Sequence, residues 1–162
     1  MLPFQFYNPV KIYFGNGSCT EIGRYLKGKY KKVLLVYAKG PFRENGLYAE
    51  VKTQFEKTGS IVYKMSDIDS NPKMYSVYEG ISIARDNQID CIADLGGGSA
   101  IMDCTKLMAM SAKTDIDPCE YVWGNRSKVA GSIDVVMIPT IAATGTELNN
   151  KTFNTLKNKR RI

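Results

Sequence analysis

Apolar residues along this chain fall into short β-rich runs separated by longer stretches with helical spacing. Val10-Lys-Ile-Tyr-Phe14 alternates and predicts a half-exposed strand, closed by the Gly15-Asn-Gly17 turn. Ser18 and Glu21 have capping-box spacing for a helix over 18–27. Lys32-Val-Leu-Leu-Val-Tyr37 is nearly continuous in apolar residues, as expected of a strand covered on both faces. Leu47, Val51 and Phe55 repeat at i, i+4, i+8 after Asn45-Gly46, predicting a helix that Gly59 stops.

The alternation continues. Ser60-Ile-Val-Tyr-Lys-Met65 reads as a strand, and Asn71-Pro72 opens a helix whose Val77, Ile81 and Ala84 face the sheet, with Pro72 in its first turn. Ile89-Asp-Cys-Ile-Ala-Asp-Leu95 is a buried strand that runs into Gly96-Gly97-Gly98-Ser99 and another helical stretch. A loop over Asp115–Pro118, a short helix through Trp123 and a strand over Ile133–Ile138 complete the series. Strands alternating with amphipathic helices predict an α/β fold: a Rossmann-like, doubly wound, mostly parallel sheet with helices on both faces. The 162 residues contain no repeat, low-complexity segment or linker, and read as one domain over 1–162.

Composition narrows the function. No apolar run approaches the roughly 20 residues of a membrane-spanning helix, and the N-terminus lacks a secretory pattern, so a cytoplasmic address without membrane partners is expected. Cys19, Cys91, Cys104 and Cys119 are widely spaced, against a disulfide framework or zinc ribbon. A net charge of +6 suits a polyanionic cofactor. The basic residues cluster only at Lys157–Arg161 without interleaved aromatics, so no nucleic-acid partner is expected. The sequence holds no histidine, hence neither the commonest metal ligand nor the easiest acid–base group near neutral pH. Binding is favoured over a complete active site.

Two segments carry candidate chemistry. Gly96-Gly-Gly-Ser99 lies between a strand and a helix, where glycines permit close backbone approach and a helix N-terminus offers free amides to a phosphate. A tight turn capped by Ser99 is the plainer alternative. Ile138-Pro-Thr-Ile-Ala-Ala-Thr-Gly-Thr-Glu-Leu-Asn149 likewise follows a strand, placing Thr140, Thr144 and Thr146 where open α/β sheets bind ligands. There the alternative is a helix cap by Thr144 or Thr146.

Three segments in order, FYNPVKIYFGNGS, LGGGSAIMDCTKLMA and IPTIAATGTELN, resemble the iron-containing (group III) alcohol dehydrogenases, particularly their butanol dehydrogenase-like branch. The resemblance runs from Phe6 to Asn150 and covers the family's N-terminal domain only. It implies NAD(P) binding for hydride transfer between primary alcohols and aldehydes, with a small alcohol or aldehyde as substrate of the complete enzyme. By resemblance Gly97, Gly98 and Ser99 would hold the pyrophosphate. Asn71, Thr140 and Thr144 would contact the cofactor, and Asp103, followed by Lys106, matches an acidic position near cofactor and substrate.

Three residues rather than two separate Ser99 from Asp103, which predicts a shifted or bulged helix register. The family's divalent metal, iron or zinc, would be held by a later all-helical domain, absent from this sequence, so the chain is expected to be inactive alone. A homodimer through N-terminal strands is also implied. A non-catalytic nucleotide-binding or regulatory module remains the alternative. After Tyr37, Ala38-Lys39-Gly40 lacks the carboxylate that would favour NAD, and Lys39 is available as a charge partner, which points to NADP, with NAD the alternative.

Overall fold

The computed structural model describes residues 3–4, 7–41, 44–69, 72–97, 99–123, 129–142 and 145–148, apart from the side chains of 99 and 100. Four strands, β1 (Lys32–Ala38), β2 (Ile61–Ile68), β3 (Cys91–Gly96) and β4 (Asp134–Pro139), form one sheet in the order β2-β1-β3-β4. Every pairing is parallel: Val33 stands opposite Val62 and Cys91, and Cys91 stands opposite Asp134.

Parallel strands need crossovers, and the helices supply them. α1 (Thr20–Tyr25) and α2 (Leu47–Lys57) cover one face, where Ile22, Leu26, Val51 and Phe55 pack on Val33, Leu35, Tyr37, Cys91, Ala93 and Leu95. α3 (Met74–Asp86) and α4 (Ser99–Thr114) cover the other, packing Val77, Ile81, Cys104, Leu107 and Met108 on Leu34, Val36 and Ile92. The strands β1 and β3 are therefore buried on both sides, which explains their largely apolar runs, interrupted in β3 by Asp94. β1 leads into α2 on one face, whereas its neighbour β3 leads into α4 on the other. The chain thus changes direction between β1 and β3, and such switch points open a crevice at the carboxyl ends of the strands. The Rossmann-like architecture expected from the alternation is present.

Several local expectations are corrected. Val10–Phe14 is not in a strand; Val10, Ile12 and Phe14 are exposed, because no neighbouring strand within the described chain accepts their backbone. The capping box at Ser18 does not form: α1 begins at Thr20, Cys19 precedes it without a side-chain cap, and Glu21 pairs with Arg24 at 3.7 Å. Pro72 stands outside α3, which starts at Met74 after an extended Lys73. β2 extends to Ile68, beyond the expected end at Met65, because its pairing with β1 continues through a register shift to Ala38. Gly59, at φ +88, does end α2 as expected.

Candidate functional site

The two segments singled out in the sequence meet at the carboxyl end of the sheet. Gly96 stands opposite Pro139, and the Thr140 amide donates to the Gly96 carbonyl at 3.0 Å, one step beyond the strands. A Cβ on Gly97 would lie 2.9 Å from Ile141 Cδ1 and 3.3 Å from Thr140 Oγ1. One on Gly96 would lie 3.2 Å from Ala38 Cβ and from Ile101 Cγ2. Neither glycine has a positive φ. Close approach, not backbone handedness, is therefore why these positions suit glycine. The ends of β1, β3 and β4 converge here.

α4 begins directly after this turn and runs unbroken for 16 residues. Its first amides have no intrahelical acceptors and carry the positive end of the helix dipole. The residue types present, helix-terminal amides beside the exposed Thr140, fit a phosphate group. Gly98, Asn71 and Thr144 lie outside the described residues, as does the side chain of Ser99.

Asp103 is 1% exposed, and Lys106 lies 3.6 Å from it with its side chain 14% exposed. The pair therefore does not form a solvated helix face, and the extra residue before Asp103 is accommodated within a continuous α4. Burial lowers the Lys106 ammonium from its ordinary range, while the Asp103 charge and hydrogen bond oppose that shift.

Beneath the same helix lies Asp94, which sequence reasoning had absorbed into a buried strand. Its register partners are Val36 and Met137. Among the described residues neither carboxylate oxygen has a hydrogen-bond partner of good geometry, and the adjacent Thr105 hydroxyl is equally unsatisfied. Complete burial pushes the Asp94 carboxyl up to about 7; the Ile138 backbone, Thr105 and Lys106 favour the anion, and Glu147 opposes it. The missed signal was the second acid of the run Ile89–Leu95, Asp94, flanked by Cys91, Ile92, Ala93 and Leu95.

At the end of β1, Lys39, read from the sequence as an available charge partner, is already paired. Its Nζ donates to Asp69 Oδ1 at 2.6 Å. Asp69 follows β2 and supplies the carboxylate that the residues after Tyr37 lack. The N-terminal Asn-Pro also reaches this end of the sheet: Asn8 Nδ2 donates to the Leu148 carbonyl at 3.1 Å, beside a short 3-10 helix over Thr146–Leu148. Thr146 is buried there.

The donor set does not fit the metal of the resembled family. The sequence has no histidine, and the described residues contain no group of three or more Cys, Asp or Glu able to hold an ion. No described helix is long and apolar enough to cross a membrane.

Comparison with known proteins agrees with this architecture. A probable NADH-dependent butanol dehydrogenase of Bacillus subtilis is 36% identical over 146 residues, 90% of this chain but 37% of the relative. An NADP-dependent alcohol dehydrogenase of Entamoeba histolytica is 31% identical, over 92% of this chain and 39% of its own length. The crystal structure of an NADH-dependent butanol dehydrogenase from Thermotoga maritima superposes with a TM-score of 0.88 at 30% identity, over 95% of this chain and 38% of that one. The chain therefore spans well under half the length of the relatives it matches. The family model for iron-containing alcohol dehydrogenase matches residues 9–162, so this chain belongs to the iron-containing alcohol dehydrogenase family.

Proposed function

We propose that this chain is the dinucleotide-binding part of an alcohol dehydrogenase, with Gly97, Gly98 and Ser99 holding the pyrophosphate of a nicotinamide dinucleotide at the start of α4. The observation that carries this reading is the contact between the two strand-end segments, with Gly97 packed against Thr140 and Ile141. The loops after β3 and β4 thereby meet at the carboxyl end of the sheet, beside the switch point between β1 and β3 where a nucleotide crevice is expected. In this reading Thr140 and Thr144 serve the nicotinamide end, Asn71 contacts the cofactor, Lys39 serves the adenosine end, and Asp103, paired with Lys106, is the acid near cofactor and substrate.

In the complete enzyme, hydride passes between the nicotinamide and a primary alcohol or aldehyde, and the family's divalent metal supplies polarisation of the alcohol oxygen. The described residues of this chain offer no fitting donor set for the metal. Its own contribution is to bind and orient the nucleotide, and by itself it is expected not to turn over alcohol. Pairing of two copies through the exposed Val10–Phe14 run belongs to the same reading.

Calorimetric titration of the 162-residue chain with NADH and NADPH, beside Gly98→Asp, tests the assignment. A carboxylate at that glycine should repel the pyrophosphate. Saturable binding by the wild type that is lost in a folded Gly98→Asp variant supports the reading. A folded wild type that binds neither nucleotide rejects it.

A further inference from the structure

Lys39 and Asp69 leave adjacent parallel strands at the same end. Ala38 stands opposite Ile68, and the Lys39 amide donates to the Ile68 carbonyl at 3.0 Å, so the two following side chains are brought together by the sheet itself. Lys39 Nζ meets Asp69 Oδ1 at 2.6 Å, and Lys73 Nζ approaches Asp69 Oδ2 to 3.9 Å from just before α3. One carboxylate thus stands between two ammonium groups, at the end of the sheet where the crevice opens.

The two nicotinamide dinucleotides differ only at the adenosine ribose, which carries a 2′-hydroxyl in one and a 2′-phosphate in the other. A carboxylate accepts a hydrogen bond from the hydroxyl and repels the phosphate, whereas lysines attract the phosphate. Sequence around Lys39 alone points to the phosphate form, because no acid follows β1. The fold reverses that reasoning by delivering an acid from β2. We propose that Asp69, by occupying Lys39 and presenting its own carboxylate, is the residue that sets nucleotide preference and makes this chain favour NADH over NADPH. The inference rests on the dinucleotide reading of the crevice made above.

Removing the charge of Asp69 leaves two uncompensated lysines where one net positive charge stood. The test measures NADH and NADPH affinities of the 162-residue chain, Asp69→Asn and Lys39→Met, each at low and high salt. The wild type is expected to prefer NADH. Asp69→Asn is expected to lower the NADH-to-NADPH affinity ratio at least tenfold, through a gain in NADPH binding that weakens with salt. Lys39→Met, which removes one ammonium group and relieves Asp69 of its partner, should shift the ratio in the opposite direction, further toward NADH. A wild type that prefers NADPH, or an Asp69→Asn variant with an unchanged ratio, overturns the role of Asp69 while leaving the dinucleotide site standing. Binding of neither nucleotide by the wild type overturns both readings together.

Discussion

Asn8 and Leu148 are joined by one hydrogen bond across nearly the whole described chain: Asn8 Nδ2 donates to the Leu148 carbonyl at 3.1 Å. The same side chain accepts the Val10 amide on its Oδ1 at 3.0 Å, forming a local Asx turn. Asn8 thus uses both ends of its amide, one to shape the N-terminal segment and one to hold the turn after β4. An aspartate keeps the acceptor and loses the donor. Asn8→Asp is expected to destabilise the chain by only about 1 kcal/mol, but to speed amide exchange at Thr146–Leu148 selectively. Unchanged exchange there would show that the contact holds nothing in place.

The packing of α3 on α4 depends on Gly80, where an added Cβ would run into the side chain of the fully buried Met108. Gly80→Ala should cost about 1–3 kcal/mol through overpacking. Combining it with Met108→Ala removes the obstruction, so the double variant should be less destabilised than the sum of the single ones. Urea denaturation midpoints decide this, and simple additivity would mean that the helices can move apart freely.

Asp94 couples stability to pH. Its carboxyl titrates at about 7 in the fold, against 3.8 when unperturbed. Between those values the folded chain binds a proton that the unfolded chain has released. This contribution to stability is complete below pH 3.8, falls as pH rises toward about 7, and is then lost. Asp94→Asn is neutral throughout, so its stability relative to the wild type should rise by roughly 2–3 kcal/mol from pH 5 to pH 8. A constant difference across that window, measured by chemical denaturation, would contradict an isolated buried carboxyl.

The four thiols should differ in reactivity. Burial, followed by the Asp103 charge, pushes Cys104 up to about 12. Cys91 is likewise raised far above the ordinary thiol range, first by burial and then by Asp134 and Asp90. Cys19 and Cys119 are only partly covered. Alkylation of the native chain, followed by mass spectrometry, is expected to label Cys119 and Cys19 well before Cys91 and Cys104. Equal labelling of all four would mean that the core opens on the timescale of the reaction.

Local pattern made most of the architecture legible. The largely apolar runs of β1 and β3, without polar alternation, identified central parallel strands, because a strand covered on both faces avoids that alternation. The spacing of Val77, Ile81 and Ala84 placed the buried face of α3 correctly. Gly96 and Gly97 were legible as a special turn, though for close approach to Ala38, Ile101, Thr140 and Ile141 rather than for handedness. Where local rules failed, tertiary context supplied the missing term. The alternating Val10–Phe14 run is not a strand, since alternation specifies a ladder only when a neighbour exists to accept it.

What the sequence by itself determined is the order of strands and helices from β1 onward, the family, and the two strand-end segments that meet at the carboxyl end of the sheet. These follow from short-range periodicity and from motifs contiguous in the chain. What only the tertiary structure decided are the relationships between residues far apart in sequence. Asp69 neutralises Lys39 because β2 pairs with β1 in parallel. Asp94 has no well-placed partner among the described residues because α4 closes over β3. Charge, solvation and proton affinity depend on which groups lie within a few ångströms in space, and no local pattern encodes that distance.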